Sequence, residues 1–339
     1  MSSEHTLRKR IRALERELAQ AAEKELTHQE VRETIFCLAE TGYEPRLFDY
    51  KLPVGHPGTP VICLGDWHAG EVVRPDEVGH ANRFNTTVLT RRVSRVVETA
   101  IGLAKQHLAN GTYKAAYVPL LGDMVSGEIH DELSRTNEAS LFQSIIIAAD
   151  LLTSALLKLQ EAFGRIHCPA VCGNHGRIDR KWQVKNFTVR NADWLIYQMV
   201  EARLRAMGVS TITIDAPASN EVLFTVHNTS FLAVHGHDLG VQGGDGMIGP
   251  LGPILRGRYK MESQKAALGQ RFDHLLIGHW HFSAMLPGVI VNGTLKGYDE
   301  FAAHVLRAKP APPSQSMFFV HPRTGIASYW NIFGEEPKA

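Results

Sequence analysis

Five short apolar runs in this sequence each end in residues able to hold a metal ion or move a proton. Val61-Ile62-Cys63-Leu64 runs into Gly65-Asp66-Trp67-His68, and Val118-Pro119-Leu120-Leu121 into Gly122-Asp123. Ala170-Val171-Cys172 leads to Gly173-Asn174-His175, and Phe231-Leu232-Ala233-Val234 to His235-Gly236-His237. The last, His274-Leu275-Leu276-Ile277, ends in Gly278-His279-Trp280-His281. If these runs are strands of an α/β fold, the loops beyond their carboxyl ends converge on one crevice, where such proteins bind ligands. Carboxylates crowded there repel one another, and neutral imidazoles gain little, unless a cation lies between them. Mixed oxygen and imidazole donors suit manganese, iron or zinc better than calcium or a thiolate-seeking metal. Each piece alone has an ordinary explanation. Gly122-Asp123 reads as a turn, and His279 with His281 as two imidazoles on one strand face, satisfied by hydrogen bonds. The ordered set, each member closing an apolar run, is what points to a metal centre. The glycines before Asp66, Asp123, Asn174 and His279 are expected to let the chain turn sharply out of the sheet.

In their order, D-x-H, G-D, G-N-H, a lone H after a strand and G-H-x-H, these motifs resemble the calcineurin-like metallophosphoesterase superfamily. The resemblance covers about residues 60–300. It implies a four-layer α/β sandwich, two mixed β-sheets flanked by helices, and two divalent metal ions, manganese first, with iron, zinc or magnesium as alternatives. It further implies Asp66, His68 and His281 on one metal, Asn174, His235 and His279 on the other, and Asp123 bridging both. His175 would be the catalytic imidazole beside the leaving group. Two cations about 3.5–4 Å apart clamp a phosphoryl group and acidify a bridging water, whose hydroxide attacks phosphorus in line. A protonated His175 then donates to the departing alkoxide.

Departures from the family narrow the substrate. Protein phosphatases of the superfamily carry an Asp-Arg pair shortly after the second motif, where this chain has Ser126 and Gly127. The carboxylate that orients the catalytic histidine and the arginine that grips phosphate are both missing, which disfavours a protein phosphatase. Arg177 follows His175 closely and, with Arg180, is a candidate for substrate binding through a planar fork matched to phosphate oxygens; a surface arginine is the plain alternative. Lys181, Lys185 and Arg190 follow, with Trp182 and Phe187 among them, and basic residues interleaved with aromatics suit a nucleic-acid strand. A solvated helix entry with two core aromatics fits the same residues. A second basic stretch, Arg256, Arg258, Lys260, Lys265 and Arg271, precedes the last motif. His130 could reach substrate or cap a helix. Gly244-Asp245-Gly246-Met247-Ile248-Gly249 matches a dinucleotide fingerprint in letters only, since Pro250 and Pro253 follow it at once; a mobile loop beyond His235 is the better account.

Positioning the motifs needs alternating strands and helices. Helices are expected over about 85–109, 137–163, 192–207 and 260–269, with strands over the five apolar runs and over Thr211–Ile214, Val222–Val226, Val289–Val291, Met317–Val320 and Ile326–Trp330. The run 115–121 is weakened in its middle by Pro119. The close spacing of the runs from Thr211 to Val234 suggests antiparallel strands. Alternation first and strands later predicts a mixed α/β sandwich with helices outside. Before it, Leu7, Ile11, Leu14 and Leu18 mark an amphipathic helix within residues 1–40, lapsing at Ala21 and Glu25. It reads as a helix packed on its own domain or as an arm for a homo-oligomer or partner helix. Pro53–Pro60 reads as a linker into the main domain, residues 55–339.

The 339 residues suffice for one large domain, and 44% hydrophobic with 21% charged residues is an ordinary soluble composition. No run is expected to span a bilayer; Ile145–Leu157 reads as a buried helix. The N-terminal residues lack a signal-peptide core, and Cys37, Cys63, Cys168 and Cys172 show no disulfide or zinc spacing, so a cytoplasmic protein with reduced thiols is expected. A net charge of +1 neither demands nor excludes nucleic acid. The leading expectation is a metal-dependent phosphodiesterase acting on DNA or RNA, similar to the nuclease subunits of double-strand-break repair. The alternatives are a small-molecule phosphodiesterase or phosphatase, for cyclic nucleotides or nucleoside polyphosphates, and an inactive scaffold of the same fold.

Overall fold

The computed structural model describes residues 2–40, 58–107, 112–240 and 249–336. The chain divides into two units, Met1–Gly55 and His56–Ala339. Among its described residues the first holds one helix, α1 (Ser2–Glu40). It runs well past the lapse in its heptad pattern because Ala, Glu, Lys and Arg favour helix wherever packing does not decide. A lone helix has no second layer of its own to bury Leu7, Ile11, Leu14 and Leu18, which stand exposed along it. The expected linker Pro53–Pro60 lies mostly outside the described residues.

Two mixed sheets, flanked by helices, build the second unit. The first sheet contains β1 (Thr59–Ile62), β2 (Ala115–Tyr117), β3 (Arg165–Pro169) and β4 (Ile212–Asp215), all parallel. The second contains β5 (Val222–Val226), β6 (Thr229–Ala233), β7 (His274–Ile277), β8 (Ala284–Leu286) and β9 (Val289–Val291), in the order β5-β6-β7-β9-β8. A final hairpin, β10 (Ser314–His321) and β11 (Gly325–Phe333), completes the first sheet as β11-β10-β1-β2-β3-β4. Along β1 the side chains alternate between two apolar layers. Val61 and Cys63 join Leu121, Phe231, Leu276 and Phe318 between the sheets, whereas Ile62 and Leu64 pack with the helical residues Leu89, Val96, Leu152 and Ile196. Beyond the second sheet, Leu275 and Ile277 meet Ile254. Four layers result, and strands buried on both faces read as unbroken apolar runs.

The helices have readable ends. In α2 (Thr86–Gly102), the Asn85 side chain accepts from Val88 N–H. A short helix, α3 (Asp131–Thr136), precedes α4 (Leu141–Phe163), which opens on a reciprocal cap: Ser140 Oγ accepts from Gln143 N–H, and Gln143 Oε1 accepts from Ser140 N–H. Next come α5 (Ala192–Ala206), capped by Asn191, and α6 (Leu251–Ala267).

Several expectations are corrected. Strand β2 stops at Tyr117, before Pro119, whose ring nitrogen has no hydrogen to give the ladder; beyond it only single bridges join Leu120 to Leu64 and Ala170. The run Thr211–Ile214 does not join the antiparallel pair after it. Its residues form β4, parallel to β3 in the other sheet, and only β5 and β6 make a hairpin. Helix α6 opens at Leu251, not near Lys260, because prolines in a first turn lack only N–H groups that would go unpaired anyway. By length and composition α4 could cross a bilayer. Here its Ile145, Ala149, Leu152, Leu156 and Leu159 lie in the core, and Asp150 pairs with Arg203 on α5 at 2.7 Å. Replacing Ser140 by alanine removes one half of the α4 cap and is expected to cost about 1 kcal/mol, read as a lowered urea midpoint with unchanged slope.

Candidate metal centre

The turns leaving β1 and β7, and those following β2, β3 and β6, bring the five motifs together. Single ligand atoms of Asp66, His68, Asp123 and His281 lie within 4.8 Å of one another, as do those of Asp123, His235 and His279. Asn174 Oδ1 is 3.1 Å from His235 Nε2, on the side of the second group. The two groups share Asp123 and divide the side chains as the resemblance implied. Asp66, His68, Asp123 and His235 are fully buried.

The backbone is bent at the ligating residues themselves. Asp66, His68, Asp123, His279 and His281 all adopt positive φ, between 49° and 64°, a region that costs a side-chain-bearing residue energy. The preceding glycines serve mainly to give room rather than to turn the chain as expected. A Cβ on Gly173 would stand 2.1 Å from Asp123 Oδ1, and one on Gly278 2.3 Å from Asp66 Oδ2. Gly122 alone of the four does both, with φ of 83° and a Cβ position 2.2 Å from Gly173 N.

Lone pairs converge in this centre. His235 Nδ1 lies 2.6 Å from the Leu121 carbonyl, which fixes the N–H on that side and turns the Nε2 electron pair inward. Nε2 then faces Asp123 Oδ2 at 3.0 Å and Asn174 Oδ1 at 3.1 Å. The buried Asp123 Oδ2 has no hydrogen-bond partner unless His235 Nε2 carries a proton. His68 Nε2 and His281 Nε2 meet at 3.1 Å, where one imidazole N–H can lie between them, with Glu71 Oε2 at 3.4 Å from His68 Nδ1. Around His235, acceptors point at acceptors and need positive charge between them, and the chemistry of this donor set fits metal ions. Without metal a proton must serve. Burial works against a charged His235, but the Asp123 charge and hydrogen bond raise its pKa to about 10. Burial lowers His68 and His279 below the ordinary imidazole value, leaving them neutral as ligands must be.

His175 stands beside the first group, its ring 4.6 Å from that of His68. Its backbone N–H donates to Asp123 Oδ1 at 2.7 Å, and its ring Nδ1 meets the Ser126 carbonyl at 2.8 Å. A neutral carbonyl thus takes the place of the orienting carboxylate that the sequence lacks. Burial outweighs the Asp123 charge and depresses the imidazole to about 3. His130, 6.1 Å from His175 between ring centres, precedes α3 without a side-chain cap bond. Arg177 departs from the expected phosphate clamp: its guanidinium donates to the carbonyls of Asp179, Asn174 and Arg180 and so braces its own loop. Arg180 pairs instead with Asp131 at 2.7 Å. The glycine-rich loop falls mainly on residues 241–248, outside those described.

Sequence reading missed the groups that hold the ligands. Asp193, fully buried at the start of α5, accepts from the backbone N–H groups of Asp123 and Gly173 at 2.8 Å each and of Met124 at 3.0 Å. Burial and the nearby Asp123 charge raise its carboxyl to about 7 against those bonds. Asn191 donates to the Gly173 carbonyl at 2.8 Å. Behind the first motif, Lys296 reaches Glu71 at 3.0 Å and also pairs with Asp299. Burial alone would raise Glu71, but Lys296 and His68 hold it well below the usual carboxylate range. Asn-x-Asp at a helix start was a readable cap signal; a buried lysine has no signature in sequence.

No family model and no curated protein matches this chain. Among solved structures, one described as "Putative 5'-Nucleotidase from Staphylococcus aureus in complex with alpha-ketoglutarate" is similar at 11% identity and a TM-score of 0.32. The match covers 83% of this chain and 55% of that one, so this chain spans about half the length of that relative. What the centre can do follows from its own donors.

Two outcomes test this geometry. Below pH 6.5 the His235 proton contributes its full share to the stability of the metal-free fold, and that share is lost as pH rises through about 10. Metal must displace the proton, so Mn²⁺ affinity should rise from pH 6 to 9 with about one proton released, measured by calorimetry in buffers of different ionisation enthalpy. Affinity independent of pH would contradict the assigned charge. Asp193→Ala strands three backbone donors and is expected to cost about 2–4 kcal/mol and weaken Mn²⁺ binding, with Asp193→Asn milder in both, by denaturation and calorimetry.

Proposed function

We propose that this protein is a metal-dependent phosphoesterase whose two donor groups each hold a divalent cation, manganese first, and that it cleaves phosphodiesters of nucleic acid. The observation carrying the proposal is Asp123: one buried carboxylate belongs to both donor groups, and its Oδ2 faces His235 Nε2 at 3.0 Å, a contact that needs a proton or a cation. A carboxylate so placed suits a pair of cations sharing one phosphoryl group. Bound divalent cations supply Lewis acidity toward phosphoryl oxygens and acidify water at the centre.

The remaining work falls to this chain's own side chains. Leu121 and Ser126 carbonyls fix the tautomers of His235 and His175, so each presents a defined Nε2. His175 is neutral at pH 7 before substrate enters. An entering phosphodiester adds negative charge beside it, which favours the protonated imidazole, and Nε2–H can then be given to the departing alkoxide. Support for nucleic acid comes from Lys181 and Lys185, exposed on the loop after His175 and outside every ion pair among the described residues. One observation favours a smaller ester: Arg190, Arg258 and Lys265 are paired with acids of their own chain, and Arg177 with carbonyls, leaving little free basic surface.

Purified with Mn²⁺, the chain is expected to hydrolyse bis(p-nitrophenyl) phosphate and single-stranded DNA, and chelation should abolish both activities. Asp123→Asn should lose metal and activity together. His175→Ala should keep its metal while turnover falls roughly hundredfold or more. Hydrolysis undiminished by chelator or by Asp123→Asn overturns the proposal. Steep loss of DNA cleavage with salt supports the nucleic-acid substrate, and activity on small esters alone replaces it with the smaller one.

A further inference from the structure

Trp182 is a large indole left 51% exposed beside a polar centre, on a loop otherwise well tied down. Its ring meets His237 edge-on at 5.9 Å, and the half-buried Phe187 lies against the same imidazole at 5.2 Å and 30°. His237 in turn is 5.5 Å from His235 and 6.3 Å from His279. A single imidazole therefore separates the aromatic pair from the second donor group, much as a sugar separates a base from its own phosphate. Asp179 holds Arg190 through two hydrogen bonds of 2.8 and 2.7 Å, and Arg180 ties the loop to Asp131. The space enclosed by Arg177, Asp179, Gln183, Lys185, Phe187 and Arg190 admits no water, so the loop is a packed ledge and not a pocket.

We infer that Trp182 and Phe187 form a stacking ledge for the nucleobase next to the scissile phosphate, which deepens the phosphoesterase reading and rests on it. A rigid aromatic face loses little freedom on binding, and every base has a face to offer it. Stacking uses the face that every base has, so purines and pyrimidines are both accepted. Lys181 and Lys185, exposed on the same loop, contact the neighbouring phosphates.

The test compares thymidylyl-thymidine with the equally charged diester lacking both bases, on the native protein, Trp182→Ala and Trp182→Phe. KM is read with Mn²⁺, and binding is read by equilibrium dialysis on chelator-treated protein. The native chain should prefer the base-bearing diester. Trp182→Ala should reduce that preference roughly five- to hundredfold, the worth of one stacked base, and Trp182→Phe should restore most of it. Equal handling of the two diesters by the native chain, or a preference that survives Trp182→Ala, overturns the ledge. Hydrolysis of both diesters without preference sinks the ledge and keeps the phosphoesterase; a base preference in binding with no hydrolysis does the reverse. An oligothymidylate octamer binding more tightly than the dinucleotide identifies a strand as the source of the base, and equal binding identifies a free nucleotide diester; either supports the ledge.

Discussion

His235 Nε2 faces Asp123 Oδ2 at 3.0 Å and Asn174 Oδ1 at 3.1 Å, with His235 and Asp123 fully buried, and positive charge must lie among them. An arrangement of this kind is unfavourable in an isolated chain, since burial costs each polar group its hydration. Much of the second unit is explained by the need to hold it. Five ligating residues sit at positive φ, and the turns carrying Asp123 and Asn174 pack so closely that no side chain fits at Gly122 or Gly173. Strain of this kind persists only where the surroundings over-determine the backbone. The parallel strands supply that constraint, because β1, β2 and β3 are hydrogen-bonded neighbours buried on both faces.

Two buried acids extend the constraint outward. Asp193 works on the backbone, tying the β2 and β3 turns together through three N–H groups. Glu71 works on a side chain, keeping its charge beside His68 while Lys296, shared with Asp299, balances it. Such buried networks add little to net stability when complete, yet breaking one partner is costly. Their value here is positional. A ligand displaced by an ångström loses the geometry that a metal or a phosphoryl group requires.

The imidazole of His175 is oriented by the Ser126 carbonyl, which adds no negative charge, so burial dominates and the ring is neutral before substrate binds. The nearby arginine, Arg177, donates to the carbonyls of Asn174, Asp179 and Arg180 and so braces the loop that follows His175.

By itself the sequence marked most of the elements and a candidate set of donors. Apolar runs buried on both faces and residues with strong donor chemistry at their ends leave local marks, so Asp66, His68, Asp123, Asn174, His235, His279 and His281 were legible before their distances were known. Only tertiary structure decided which strands pair, as β4 shows by leaving its neighbours in sequence for β3, because pairing partners are chosen by shared burial across the whole sheet. It also decided what each charged side chain does. Arg177 turned to carbonyls, Asp193 to amides and Lys296 to a buried glutamate, since a charge answers to whatever lies within a few ångströms, and sequence spacing does not report that distance.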